Sequence, residues 1–186
     1  DVCSSDLALG IGVRVLVLEA GAADRPADAK CNTVASRTLE TLRRFDIAED
    51  VRKAGLPDDF PTDVIYASSL TGPEFTRIGL PSRAERRARR FPSDFPDAAW
   101  RTPEPLVRVS QIYLNPILAR RMQATPGITV QYDTPVLGYT QDADAVSVRV
   151  RGATGAERTL RARYLLGADG GRSVVRQAMG VRLQGD

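Results

Sequence analysis

Val13-Arg14-Val15-Leu16-Val17-Leu18-Glu19 is the stretch that decides the fold. It is short, almost continuously apolar and rich in valine, with Gly12 before it and Gly21 after it. Such a run reads as a strand buried on both faces, as in a parallel sheet. It ends in an acid. In a dinucleotide-binding unit the second strand ends this way, because a carboxylate at the carboxyl edge of the sheet accepts hydrogen bonds from ribose hydroxyls. That rule expects a GxGxxG loop roughly 20 residues upstream. The 18 residues before Glu19 contain none. Gly10-Ile11-Gly12 sits too close to the strand, and Gly12 reads as the end of a preceding helix. Alone, the run suits a structural parallel strand with a polar end equally well.

A second run of the same kind lies near the other end. Tyr164-Leu165-Leu166-Gly167-Ala168-Asp169 is again apolar and again ends in an acid, followed by Gly170-Gly171-Arg172 and a short helix over 173–179. We expect 13–19 and 164–169 to be parallel strands of one sheet, with Glu19 and Asp169 opening on its carboxyl edge. Between them, 36–44 reads as an amphipathic helix capped by Ser36 or Thr33. A second helix over 47–54 stops at Gly55 and Pro57. Residues 63–69 and 74–80 read as a hairpin around Leu70-Thr71-Gly72-Pro73. The proline-rich stretch 81–105 reads as a surface excursion with one helical turn. After it come a short strand over 106–109 and a helix over 111–125, with Ile112, Ile117, Leu118 and Met122 as its apolar members. A strand over 128–132 follows. An antiparallel meander spans 135–140, 145–151 and 158–163.

Composition narrows the chemistry. The chain of 186 residues is 42% hydrophobic and 26% charged, which is globular rather than disordered. It has no histidine, which excludes a His-based triad, an HExxH zinc site and an imidazole general base. Two cysteines exclude a disulfide scaffold and a Cys-rich zinc site. No apolar run reaches the roughly 18 residues of a spanning helix, and no secretory signal is visible, so a cytoplasmic location is expected. The net charge of +3 comes almost wholly from arginine. The densest cluster, Arg83-Ala84-Glu85-Arg86-Arg87-Ala88-Arg89-Arg90, carries no interleaved aromatic platform. It reads as a solvated surface segment, with neither a nucleic-acid nor a membrane partner.

Four stretches, in order and spacing, together resemble one family. They are Val13–Glu19; Lys30-Cys31-Asn32 with Arg37-Thr38-Leu39-Glu40-Thr41-Leu42-Arg43-Arg44; Arg108-Val109-Ser110-Gln111 with Leu114-Asn115-Pro116-Ile117-Leu118; and Tyr164–Arg176. The last contains Asp169-Gly170-Gly171-Arg172-Ser173-Val174-Val175-Arg176, which is similar to the DGxxSxxR motif. The set resembles the FAD-dependent aromatic hydroxylases of the p-hydroxybenzoate hydroxylase type, the group A flavoprotein monooxygenases.

The resemblance implies an α/β fold: a Rossmann-like FAD-binding domain, incomplete here, with an antiparallel β-meander and part of the substrate-side region. It implies FAD-binding segments over 8–62 and 106–186, the latter with the meander and the DG motif, and a substrate-side hairpin and excursion over 63–105. It places Glu19 on the adenosine ribose, Lys30 near the pyrophosphate, and Arg108 and Gln111 against FAD at a helix start. Asp169 becomes the acid that handles FAD and the pyridine nucleotide, with an N-capping role open beside it. Arg172 and Arg176 become secondary contacts to the turn or to NAD(P)H phosphates. No catalytic side chain is singled out, because the cofactor carries the chemistry. In that family NAD(P)H reduces FAD and the reduced flavin takes up O₂ as a C4a-hydroperoxide, so the resemblance implies transfer of one oxygen atom to a small phenolic substrate.

Other features depart from the family pattern. Residues 1–7 resemble a translated adapter remnant and are expected to be a non-native leader. The later GD motif is not found, so an internal piece of a longer enzyme is expected, holding FAD weakly or not at all. Two alternatives stay open: another flavin oxidoreductase of the same fold, or an inactive nucleotide-binding module. A halogenase is disfavoured, since Trp100 is the only tryptophan and no WxWxIP stretch exists.

Overall fold

The computed structural model describes residues 12–26, 31–89, 93, 94, 99 and 102–185. Lys30, Gly10, Ile11, Trp100 and the expected leader over 1–7 lie outside the described residues. The chain divides into two compact units, one of residues 1–26 with 120–186 and one of residues 27–119.

In the first unit, β1 (Val15–Leu18) pairs in parallel with β6 (Ile128–Gln131), Val15 opposite Ile128 and Leu18 opposite Gln131. The ladder runs on at both ends, through Val15 N–H to Gly127 O (2.8 Å) and Glu19 N–H to Gln131 O (2.9 Å). The meander forms as its alternation predicts. It consists of β7 (Val136–Gln141), β8 (Val146–Arg151) and β9 (Glu157–Ala162), antiparallel in that order. Val146, Val148 and Val150 point to one face of β8 and are buried, while Arg149 and Arg151 stay exposed. Leu18, Val136, Tyr139, Leu160 and Leu165 pack against that valine cluster.

Two expectations need correction here. The run 164–169 forms no ladder, and the partner of β1 is β6. Leu165 reaches the same valine cluster as Leu18, so the run lies near β1 without bonding to it. Tyr164 and Leu166, on either side of Leu165, face outward at 80% and 58% exposure. Nor is β1 buried on both faces: Leu16 is 41% exposed, on the face opposite to that of its neighbours Val15 and Val17.

In the second unit, β2 (Thr33–Val34) and β5 (Val107–Arg108) form a short antiparallel pair. Helices α1 (Ser36–Arg44) and α2 (Ala48–Ala54) turn on Phe45-Asp46 and bury Leu39, Leu42, Phe45, Ile47, Ala48 and Val51. Neither Thr33 nor Ser36 caps α1. The N-cap is Ala35, with no side-chain bond. Thr33 is committed to the β2 ladder and Ser36 is already the first helical residue. The expected hairpin is present as β3 (Val64–Ala67) and β4 (Glu74–Ile78), with a bulge at Tyr66/Ala67. The expected helical turn of the excursion is α3 (Arg83–Ala88), opened by a Ser82–Glu85 capping box.

Helix α4 (Gln111–Ala124) follows β5, with Pro116 inside it. Ile117 is its buried residue, whereas Ile112 is 50% exposed, against its expected apolar role. Helix α5 (Val174–Ala178) belongs to the first unit and lies against β7. Among the described residues, no helix is long and apolar enough to cross a membrane.

Candidate functional site

Glu19 directly follows β1, at the carboxyl end of a parallel strand pair. Its main chain is fixed on both sides: its N–H continues the β6 ladder, and its carbonyl accepts the Thr134 N–H at 2.9 Å. Its side chain is exposed, and Oε1 accepts the Gly21 N–H at 2.8 Å. One short bond back to the turn orients the carboxylate. A carboxylate has roughly four lone-pair sites, so capacity for a pair of ribose hydroxyls remains. This is the geometry expected of a strand-end acid in an open α/β sheet.

Asp169 belongs to the same unit. Its Oδ2 accepts the N–H groups of Val174 (2.6 Å) and Val175 (3.4 Å), two donors that the first turn of α5 cannot satisfy internally. Ser173 is the formal N-cap, its hydroxyl accepting the Arg176 N–H at 2.9 Å. Gly170 supplies the turn between them at φ +76°, where a side chain would be strained. Burial pushes the Asp169 carboxyl up. Hydrogen bonds from Ser173 and from the backbone of Asp169, Val174 and Val175 outweigh it, and hold the group below the usual carboxylate range. Asp169 is therefore ionised and engaged in capping. Arg176 is engaged too, donating to Gly171 O (2.8 Å) and Val181 O (3.2 Å), so it closes the turn. Arg172 is exposed on that turn.

Arg108 and Gln111 lie in the other unit and are brought together there. Arg108, on β5, donates from Nη1 to Thr33 Oγ1 (2.8 Å) and from Nη2 to the Thr62 carbonyl (3.1 Å). Gln111 opens α4, and its N–H reaches Cys31 O at 3.2 Å. Val109 N–H reaches Asn32 O at 2.9 Å. The residues after Lys30 thus run alongside Val109 and Gln111, joining two of the four motif stretches. Neither threonine that orients Arg108 is legible as its partner in the sequence, where Thr33 reads as a candidate helix cap. Their partners lie 75 and 46 residues away, and no local pattern marks them.

A cleft of about 470 Å³ in the same unit is lined by Arg43, Glu49, Arg52, Arg83, Arg87 and Glu104, among others. It revises the reading of the arginine cluster. Arg83 is 6% exposed, not solvated, donating to Leu56 O (2.7 Å) and Asp58 (2.7 Å), and Arg87 pairs with the same Asp58. Buried Glu104 pairs with Arg52 and Arg43, and Arg52 also pairs with Glu49. Each of these cations meets an acid: Glu104 ties α1 to α2 through Arg43 and Arg52, and Asp58 holds α3 through Arg83 and Arg87. The Asp58 carboxylate, outside the cluster in sequence, is the acid that meets Arg83 and Arg87; of the cluster's described arginines Arg83 is buried, while Arg87 and Arg89 stay exposed.

Comparison with known proteins follows the same lines. A family profile described as "FAD binding domain" matches residues 4–186. The chain is 36% identical over 150 residues to 2,4-dichlorophenol 6-monooxygenase of Cupriavidus pinatubonensis, covering 80% of this chain and 24% of that protein. It is 35% identical over 146 residues to phenol 2-monooxygenase of a Pseudomonas species, covering 77% of this chain and 23% of that protein. Among solved structures, the flavin-dependent monooxygenase PieE in complex with FAD and substrate superposes with a TM-score of 0.75 at 27% identity, over 92% of this chain and 28% of that one. The chain spans about a quarter of the length of the curated relatives it matches.

Proposed function

The chain belongs to the FAD-binding-domain family, whose relatives here are flavin aromatic hydroxylases, and from that premise we propose that it serves a monooxygenase that hydroxylates a small phenolic ring using FAD, NAD(P)H and O₂. The observation that carries the proposal is Glu19, an exposed acid held by its backbone at the carboxyl end of a parallel strand. Each unit, taken by itself, carries groups of a kind the cofactor takes. Glu19 offers acceptors to ribose hydroxyls, Arg108 keeps N–H groups beyond its two fixed ones for anionic or carbonyl oxygens, and α4 begins at Gln111 with amides that favour negative charge. Lys30 adds a cation for the pyrophosphate. Bound FAD would supply hydride acceptance and oxygen activation.

The residues of this chain bind, orient and exclude water. Glu19 sets the adenosine end. Arg108 and Gln111 set a second point of contact. Asp169 keeps the turn before α5 in place and presents its remaining carboxylate surface to the cofactor or the nicotinamide. The exposed apolar side chains of β3 and β4, Ile65, Tyr66 and Phe75, suit the substrate side, where an aromatic ring is held out of water. A reaction that draws on NAD(P)H suits a cytoplasmic location.

The test is isotopic. The longest open reading frame containing these residues is expressed and supplied with NAD(P)H, ¹⁸O₂ and a panel of phenols. The proposal expects one ¹⁸O atom in a catechol-type product of at least one phenol. Oxygen consumption that ends entirely as hydrogen peroxide with every phenol would refute it.

A further inference from the structure

The β3–β4 hairpin is closed at its root by two adjacent side chains. Thr62 is 5% exposed, and its hydroxyl lies 3.1 Å from Leu80 O and 3.2 Å from Pro81 O. Asp63 accepts the Leu80 N–H at 3.0 Å and an Arg77 N–H at 3.0 Å. Residues just before β3 and just after β4 are therefore tied at one point. Arg108 grips that same point from β5, through the Thr62 carbonyl, while its other Nη is held by Thr33 on β2. A guanidinium is planar, so two fixed nitrogens fix the direction of the remaining donors. Among the described residues, the Thr62 hydroxyl bonds at the hairpin root, to Leu80 O and Pro81 O, and the guanidinium meets the Thr62 carbonyl instead.

Resting on the reading that Arg108 meets the flavin, we infer that Thr62 is a positioning residue: it couples the flavin-side arginine to the root of the hairpin, so that cofactor contact and hairpin order rise and fall together. The physical basis is the shared carbonyl. If the Thr62 main chain shifts, Arg108 loses one of its two anchors. If Arg108 is removed, a half-buried carbonyl loses its donor and the root loosens.

Two measurements on the full chain test this. The first needs no flavin. Amide hydrogen exchange is compared between wild type and Arg108→Met at the Leu80 N–H, with the Val51 N–H in α2 as the control for the stability of the same unit. The expected result is exchange about three- to tenfold faster at Leu80 with Val51 unchanged. No change at Leu80, or equal acceleration at both amides, overturns the coupling. The second is FAD affinity by flavin fluorescence. Thr62→Val should weaken binding about as much as Arg108→Met, and Thr62→Ser, which keeps the hydroxyl, should restore it. Weakening by Arg108→Met but not by Thr62→Val overturns the positioning role. If Arg108→Met speeds exchange at Leu80 but leaves FAD affinity untouched, the coupling stands and the flavin contact of Arg108 falls.

Discussion

Asp169 carries two roles on one carboxylate, and substitution separates them. Its Oδ2 receives two amide donors of α5. Loss of those bonds in Asp169→Ala should cost about 0.5–2 kcal/mol. If the group also meets the cofactor or the nicotinamide, the anaerobic rate of flavin reduction in the intact enzyme falls far more than the melting temperature does. A lowered melting temperature with a normal rate would leave Asp169 as a capping residue. The same bonds give a pH dependence. The folded carboxyl lies below its usual value, so its stabilisation is present above the ordinary carboxylate range. It is lost as pH falls through the lowered folded value. Asp63 follows the same sign: the Leu80 N–H and the Arg77 guanidinium hold it down. Acid titration of the chain should therefore release the hairpin root and the α5 turn at pH values below the usual carboxylate range, followed by the amide shifts of Leu80 and Val174. The position of Glu19 was legible in the sequence because an apolar strand ending in an acid before a turn is a local pattern, and Asp169 because an acid before Gly-Gly and a short helix is another, although the run that precedes it is no strand. Thr33 and Thr62 were not legible, since their significance lies in a partner far along the chain.

At the scale of elements, period and punctuation were the legible signals. The meander announced itself through Val146, Val148 and Val150 alternating with polar neighbours, and the α1–α2 pair through Leu39 and Leu42 and the closing Gly55. The run 164–169 shows the limit of such reading. Its apolar composition and terminal acid match those of β1, but a strand is defined by a bonded neighbour, which composition does not supply. What holds this run is side-chain packing, Leu165 on the meander and Gly167 against α5. A Cβ added at Gly167 would stand 2.6 Å from the Val175 Cβ. Gly167→Ala must therefore push α5 away, at a cost on the order of 1–3 kcal/mol. Because α5 starts on Asp169, the Val174 and Val175 amides should lose protection from hydrogen exchange first, while the Val148 amide in the meander keeps its own. Equal loss at all three would mean that the Gly167 contact supports the whole unit rather than the start of α5.

For the whole molecule, the order of four motif stretches carried more than any of them singly. The β1 strand without a legible GxGxxG loop fitted a plain parallel sheet, and the DG turn alone fitted a capped helix. Their sequence along one chain pointed to the flavin hydroxylases, and the family match over residues 4–186 agrees. Within the arginine cluster the reading of a solvated segment fails at Arg83, which is buried, because its partner Asp58 is not near it in sequence; Arg87 pairs with the same acid but stays exposed, as does Arg89, and the neighbouring cations of the cleft are paired by Glu49 and Glu104. The proposed role of Glu19, holding the adenosine end of FAD, is open to a competition titration. FAD fluorescence is followed as the chain is added, with ADP and FMN as competitors, for wild type and Glu19→Ala. The expected result is weak, saturable binding that ADP displaces and FMN does not, weakened about ten- to a hundredfold by Glu19→Ala through loss of charged hydrogen bonds. Binding that survives Glu19→Ala unchanged, or that FMN displaces as readily as ADP, would contradict it.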